Sequence, residues 1–514
     1  MGGFLLLALG LAFLFSSAVY FASGQKQRNI LLYRLGISRR RNSSAGTPPR
    51  SLSPEKKANN SNAAKPDYST TFPPSRRFVL AELDSAPALS EKLGKPVHTL
   101  AEEPSKMTPQ ALDENILTTD RTVYTATGFS SDEIKALGDF PDYEKLSGVP
   151  LPKPWPEFDI NKAKPRPYRP FRWAYHQTMS LSKLDNDFWL ELEDTYAERI
   201  KQRQEIYARV GKRVLDCLPG GELACKEVME MVLEFLVHRY PQYFWLDKKN
   251  MVFYNGILKT KADLKKEKPL EVLMNNVPED FAMVMRDPKT GFYFLRCGVV
   301  CSSLGWDLGS KAGLRLDAIH EHIPDYKEKM AFSMDRQVSA SILETIEAFL
   351  TSLSRYFAKK PTDKAIQRGS WGLEVDQPLY MPAGDPHEAY RDVQDPTLDI
   401  SRVHLRVDWQ TLRRLPLSGA VVFNFKAVFT PVTKFREEPY IPSLVLKVLK
   451  EGKENLMKYK NTWHTEHVTH PALKAYEKEQ IEKGLVPEDW EVHTLEEYPY
   501  FPGWEEQWHR DQGF

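Results

Sequence analysis

The sequence lacks the glycine patterns that cradle nucleotides. Neither Gly-x-Gly-x-x-Gly nor Gly-x-x-x-x-Gly-Lys-Ser/Thr occurs, so the usual phosphate-binding loops for dinucleotides and nucleoside triphosphates are missing. Gly-x-Ser-x-Gly is missing too, which removes the nucleophile elbow of an α/β-hydrolase. Cysteine is scarce: Cys217, Cys225, Cys297 and Cys301 are the four in 514 residues. Their spacings fit no zinc or disulfide framework and no four-cysteine iron–sulfur motif, and they read as buried apolar thiols. There is no basic excess either. Lys and Arg number 70 against 69 Asp and Glu, a net charge of +1, which argues against a nucleic-acid binder. Redox chemistry on such a chain would draw its electrons from another protein.

What is present is an ordinary globular composition, with 27% charged and 41% hydrophobic residues. The length allows two to three domains. Phe4–Ser23 is almost wholly apolar and uncharged, about twenty residues and long enough to span a bilayer as a helix. Lys26, Arg28, Arg34 and Arg39–Arg41 follow it. That bias places the C-terminal body in the cytosol, with the endoplasmic reticulum the expected membrane. A cleaved signal peptide is the competing reading of the same segment. The expected organisation is an anchor over 1–24, a disordered linker over 25–77 and a partly ordered region over 78–149. The main domain then occupies 150–514. Ser, Asn, Pro and basic residues dominate the linker, which cannot bury enough surface to fold.

Within the main domain, Leu184–Val214 reads as a helix capped by Asp185, with Trp189, Leu192, Tyr196 and Ile200 recurring at three and four. Leu223–His238 is a second amphipathic helix. Val252–Tyr254, Phe281–Met285, Phe292–Val300, Ala420–Phe425 and Val428–Phe429 read as strands, and Asp287–Gly291 as a hairpin loop. The expectation is an α+β fold, a five-stranded antiparallel sheet with flanking helices. Ile441–Leu449 and Pro471–Lys483 are further helices, and the aromatic tail from Tyr498 to Trp508 is expected to pack back onto the domain.

Several residues could carry chemistry. Glu279 and Asp280 precede an apolar strand, where a carboxylate can hold a cationic amine or accept its proton. Trp306 can wall a pocket, and Arg296 can pair with a carboxylate such as Glu279. Arg406, Arg413 and Arg414 are close in sequence and suit a bidentate carboxylate partner. His320 and His322 lie two apart, so in a strand they share a face. His464, His467 and His470 repeat at a spacing of three, which drifts around a helix and lets at most two converge.

The phrases Tyr175-His176-Gln177-Thr178-Met179, Pro278–Phe281, Trp306–Pro324 and Arg406–Pro416 resemble the haem-dependent oxidative N-demethylase alpha-subunit-like family, in its fungal branch. The resemblance runs from about Pro165 onward. It implies a haem in a PAS-like core over about 240–430, with His320 as iron ligand and His322 as the alternative. It implies haem propionates on Arg406, Arg413 and Arg414. It implies an O2-dependent removal of a methyl group from a small alkylamine, with Glu279, Asp280, Arg296 and Trp306 around the substrate. Electrons would come from NADPH through a partner flavin or iron–sulfur reductase. A non-enzymatic haem-binding PAS-like sensor, or a haem-free membrane-anchored scaffold, are the other classes such a chain could belong to. Gln337–Ser354 interrupts the family's wording, as an insertion or a retained intron.

Overall fold

The computed structural model describes residues 125–175, 181–287, 293–320 and 360–513. Its centre is a seven-stranded, wholly antiparallel sheet. The strands are β1 (Ser182–Lys183), β2 (Leu215–Cys217), β6 (Asp280–Arg286), β7 (Tyr293–Val299), β8 (Ile366–Val375), β9 (Val403–Arg414) and β10 (Val421–Pro431). Across the sheet they run β1-β8-β9-β10-β6-β7-β2. β3 (Phe244–Asp247), β4 (Val252–Asn255) and β5 (Thr260–Asp263) form a separate three-stranded sheet. The five strands expected from sequence thus become seven, and Val252–Asn255 belongs to the small sheet. Ala420–Phe425 and Val428–Phe429 fuse into the single strand β10.

Helices cover one face of the large sheet. The principal ones are α1 (Tyr196–Val210), α2 (Glu222–Arg239), α3 (Pro269–Asn276), α4 (Ile441–Glu451), α5 (Trp463–Glu482) and α6 (Trp504–Asp511). α2 is buried on almost every side; Val228, Met231, Val232, Phe235 and Leu236 all lie in the main core. Its buried acids are each bonded. Glu227 accepts from the Leu417 and Ser418 amides, Glu230 from the Tyr143 hydroxyl at 2.6 Å, and Glu234 from Lys248 at 2.6 Å.

The helix expected over Leu184–Val214 is shorter. Asp185 caps only the turn Asn186–Phe188, and α1 begins at Tyr196. The intervening amides go to tertiary acceptors: Glu191 N–H to Glu279, and Asp194 N–H to the Ala163 carbonyl. Those bonds replace the i−4 ladder, and propensity yields to packing.

The aromatic tail packs against the Pro-rich segments. Trp508 donates to the Lys164 carbonyl at 2.7 Å, and Tyr168 and Tyr500 meet edge to face. Residues 125–149 also join the main core, through Phe129, Phe140, Tyr143 and Leu146. No helix among the described residues is long and apolar enough to cross a membrane. Phe4–Ser23, His176–Met179, His322 and Gln337–Ser354 lie outside the described residues.

One irregularity decides where side chains point. Between β6 and β7, Met283 pairs with Cys297, but Val284 pairs with Leu295, so Arg296 is left over as a β-bulge. Side chains alternate between faces, and one extra residue flips the rest. Cys297 and Val299 therefore lie in the main core. Tyr293 and Leu295, of the same parity, lie in a second cluster on the opposite face with Ala282, Val284, Leu412 and Val421.

Candidate functional site

The second face is the best candidate. Its floor is aliphatic and buried, and Trp306, Ile319, Ile366, Phe423 and Phe425 pack against it while remaining partly exposed. The Phe423 and Phe425 rings are stacked, 14° from parallel. Trp306 is positioned by the turn after β7, where Ser303 Oγ donates to the Trp306 carbonyl at 2.7 Å. Asp307 then caps the next helical turn by accepting from Ser310 N–H at 2.8 Å, and pairs with Arg213.

His320 follows Ile319, which packs against this face. The segment before it is tied to β7 by Leu295 N–H donating to the Leu314 carbonyl at 3.0 Å. The short helix Leu316–Ile319 then presents the imidazole, whose Nδ1 lies 2.7 Å from the Leu316 carbonyl. A carbonyl only accepts, so Nδ1 carries the hydrogen and a neutral ring holds its lone pair on Nε2. His320 thus ends a helical turn; the strand in which it would share a face with His322 is not formed at this position.

The acidic pair sits elsewhere. Asp280 is fully buried and paired with Arg203 of α1. It accepts from the Cys301 amide at 2.9 Å, the Ser302 amide at 2.8 Å and the Ser302 hydroxyl. Both oxygens are committed, and the residue clamps α1 to the turn after β7. Glu279 is also fully buried. Its Oε1 accepts from Glu191 N–H at 3.0 Å, while Oε2 has no hydrogen-bond partner among the described residues. Burial raises its pKa to about 7, against the pull of Lys426. These partners belong to the main-core side of the sheet. The expected Glu279–Arg296 pair is not formed. The bulge turns Arg296 toward the Pro219 carbonyl, to which it donates at 2.9 Å.

The three guanidiniums do not converge. Arg406 donates to the carbonyls of Ser302, Pro378 and Leu379 and to Asp408, a structural knot at the far end of β9. Arg413 projects to the main side, over the Trp189 ring at 4.1 Å. It has no acidic partner among the described residues, and burial pulls it down to about 10. Arg414 alone belongs with the second face, where it donates to the Tyr293 hydroxyl at 3.0 Å and its Nε has no hydrogen-bond partner among the described residues. Sequence reading missed the cation beside it. Lys360 is buried and held down to about 8 by burial and then by Arg414 and Arg413. No spacing signal could have joined residues 360 and 414.

The histidine run on α5 is dispersed. His464 Nδ1 donates to the Asn461 carbonyl and His467 Nε2 to the Asp395 carbonyl. His464 lines an open cleft of about 650 Å³ with Val375, Tyr390, Leu398 and Arg402. Among the described residues, the one cluster of potential metal-ligating groups is Cys217, Cys225 and Cys297.

Comparison with known families agrees with the motifs read above. The family model described as haem-dependent oxidative N-demethylase, alpha subunit-like, matches residues 180–470. That span takes in β1 through the first turns of α5, including the whole of the seven-stranded sheet and the second face. This chain belongs to the haem-dependent oxidative N-demethylase, alpha subunit-like family.

Proposed function

We propose that the chain is a haem-dependent oxidoreductase that removes a methyl group from a small alkylamine, with the second face of the sheet as its haem pocket. The observation that carries the reading is His320: an imidazole with its tautomer set by the Leu316 carbonyl, directly after Ile319, which packs on an apolar floor rimmed by aromatics. A haem would need one strong iron ligand, apolar walls for the ring and cations for its propionates. The residues fit those needs. His320 offers Nε2, Trp306, Phe423 and Phe425 offer walls, and Arg414 with Lys360 forms a buried cationic corner. Arg414 and Lys360 take the role that the sequence suggested for Arg406 and Arg413.

When bound, haem supplies oxygen activation. The chain's own residues orient the ring, exclude water with the Phe423–Phe425 wall and hold the amine against it. An oxidative N-demethylation consumes one O2 and two electrons with two protons. It releases the demethylated amine, formaldehyde and water. The electrons are assigned to NADPH through a separate reductase, a reading supported by the missing nucleotide-binding loops. The carboxylates contribute indirectly: Asp280 positions the turn that carries Trp306, and Glu279 is a buried acid on the main side. The PAS-like description and the fungal placement rest on the sequence resemblance, and a membrane anchor rests on Phe4–Ser23.

The test is an ultraviolet–visible spectrum of the full chain expressed with haem supply, beside His320→Ala. We expect a Soret band in the first that is lost in the second, and formaldehyde release when a methylamine, O2 and a reductase are added. A wild-type chain with no Soret band would sink the proposal. A Soret band without turnover would favour a sensor.

A further inference from the structure

Three of the four cysteines, distant in sequence, meet at one point. Cys217 on β2 stands directly opposite Cys297 on β7, and Cys225 lies in the first turn of α2. Their sulfurs are all within 4.8 Å of one another, and Cys225 and Cys217 are 3.6 Å apart. All three are free thiols. A single ion with metal–sulfur bonds of ~2.3 Å would hold three sulfurs about 3.8–4.0 Å apart, whereas a disulfide needs ~2.05 Å. The 3.6 Å pair and the 4.8 Å ceiling lie far closer to the first requirement than to the second.

The backbone is shaped around the sulfurs. Gly221 has φ −85°, where any residue is comfortable. A Cβ there would nonetheless lie 3.0 Å from Cys217 Sγ and from Cys297 Sγ. The crowding that favours glycine here comes from the cysteine side chains, not from the turn. The charge is also provided for. Arg296, turned out of the sheet by the bulge, donates to the Pro219 carbonyl in the same loop and so brings a guanidinium to the thiol cluster's side of the strand. The N-terminus of α2 adds its own positive potential beside Cys225. Cys217 is partly exposed and gives an entry path, while Cys225 and Cys297 are buried. Among the described residues, no carboxylate or imidazole joins the cluster. Thiolate-only ligation selects soft ions.

We infer that Cys217, Cys225 and Cys297 form a three-thiolate site for one thiophilic ion, Zn(II) or Cu(I), that staples the β2–α2 loop to β7. Binding displaces the three thiol protons. Zinc would complete its shell with water, and copper would remain three-coordinate. The site adjoins the bulge that hands Tyr293 and Leu295 to the second face, so the staple fixes the register on which that face depends.

The test uses the full chain, reduced and metal-stripped. It is incubated anaerobically with Zn(II) or Cu(I), desalted and analysed for both elements, and separately titrated with Co(II). The expected result is one retained equivalent of one of the two ions. Co(II) should give thiolate-to-cobalt charge transfer of three-thiolate intensity. Cys225→Ser should lose both, and Cys301→Ser should keep both. The element retained identifies the ion. No retained ion and no charge transfer in the wild type overturns the inference, even if the variants fail to fold. So does equal retention in Cys225→Ser, or a wild-type mass two hydrogens lighter with a Cys217–Cys225 disulfide in place of metal.

Discussion

The two faces of the central sheet differ in how they treat charge. On the main side two buried acids are fully bonded, while Glu279 Oε2 and Arg413 Nε have no hydrogen-bond partner among the described residues. Asp280 is saturated by Arg203 and the Cys301–Ser302 turn, and Glu227 by the Leu417–Ser418 turn. On the second face the cations Arg414 and Lys360 are buried near one another, Arg414 donating to the Tyr293 hydroxyl, and the aromatics stay half-exposed. A saturated buried charge holds a fold together. A cationic corner beside an incompletely covered apolar surface is what a carboxylate-bearing apolar ligand would complete. Within the chemistry-rich motif Glu279–Asp280, Asp280 is thus committed to architecture, while a plainer set of residues forms the candidate pocket.

Breaking the main side should cost most. Asp280→Ala leaves Arg203 buried and unpaired, which is expected to lower stability by about 3–5 kcal/mol in urea denaturation. Glu279 sharpens the comparison through pH. Its folded pKa of about 7 lies above its ordinary 4.5. The unfolded chain therefore ionises first, and stability falls as pH rises from 4.5 to 7, then levels. The span is about 3 kcal/mol at 1.36 kcal/mol per pH unit. Glu279→Gln should abolish that segment of the stability–pH curve, read by denaturation at several pH values.

Arg413 lies over Trp189 with no acid, so Arg413→Met should be neutral or stabilising, by up to about 1–2 kcal/mol in the same assay. The second face should show the reverse dissociation. His320→Ala is expected to change stability of the haem-free chain by less than ~0.5 kcal/mol while removing the Soret band. A large loss of stability there would erase the distinction between the faces.

Much of the main side was legible from residues alone. Periodicity located α2 and α4, and β-branched and aromatic runs located β6, β7 and β10. The strands β8 and β9 were not. Val403–Trp409 alternates, but its second register holds His404, Arg406, Asp408 and, beyond it, Gln410, which reads equally as a charged surface. β8 carries Gly369 and Gly372, which look like breakers. Gly369 is there because a Cβ would strike the Tyr168 ring at 2.5 Å, a tertiary reason that no local rule contains. The bulge at Arg296 was equally hidden, and with it the assignment of Tyr293 and Leu295. The convergence of Cys217 with Cys297 is set by strand register, so spacing along the chain could not disclose it. His320 was legible by motif, but its presentation from a helical turn was not.

The strand order has a consequence for how the protein is made. β10, the last strand in sequence, lies between β9 and β6 and joins the two halves of the sheet. A ribosome that has reached residue 400 has released β2, β6 and β7 without the neighbour that closes β6. Until Pro431 emerges, that strand presents an open edge able to pair with another nascent chain. The sheet thus completes in a single late event, and a chain truncated before β10 is expected to aggregate with its two half-sheets unjoined.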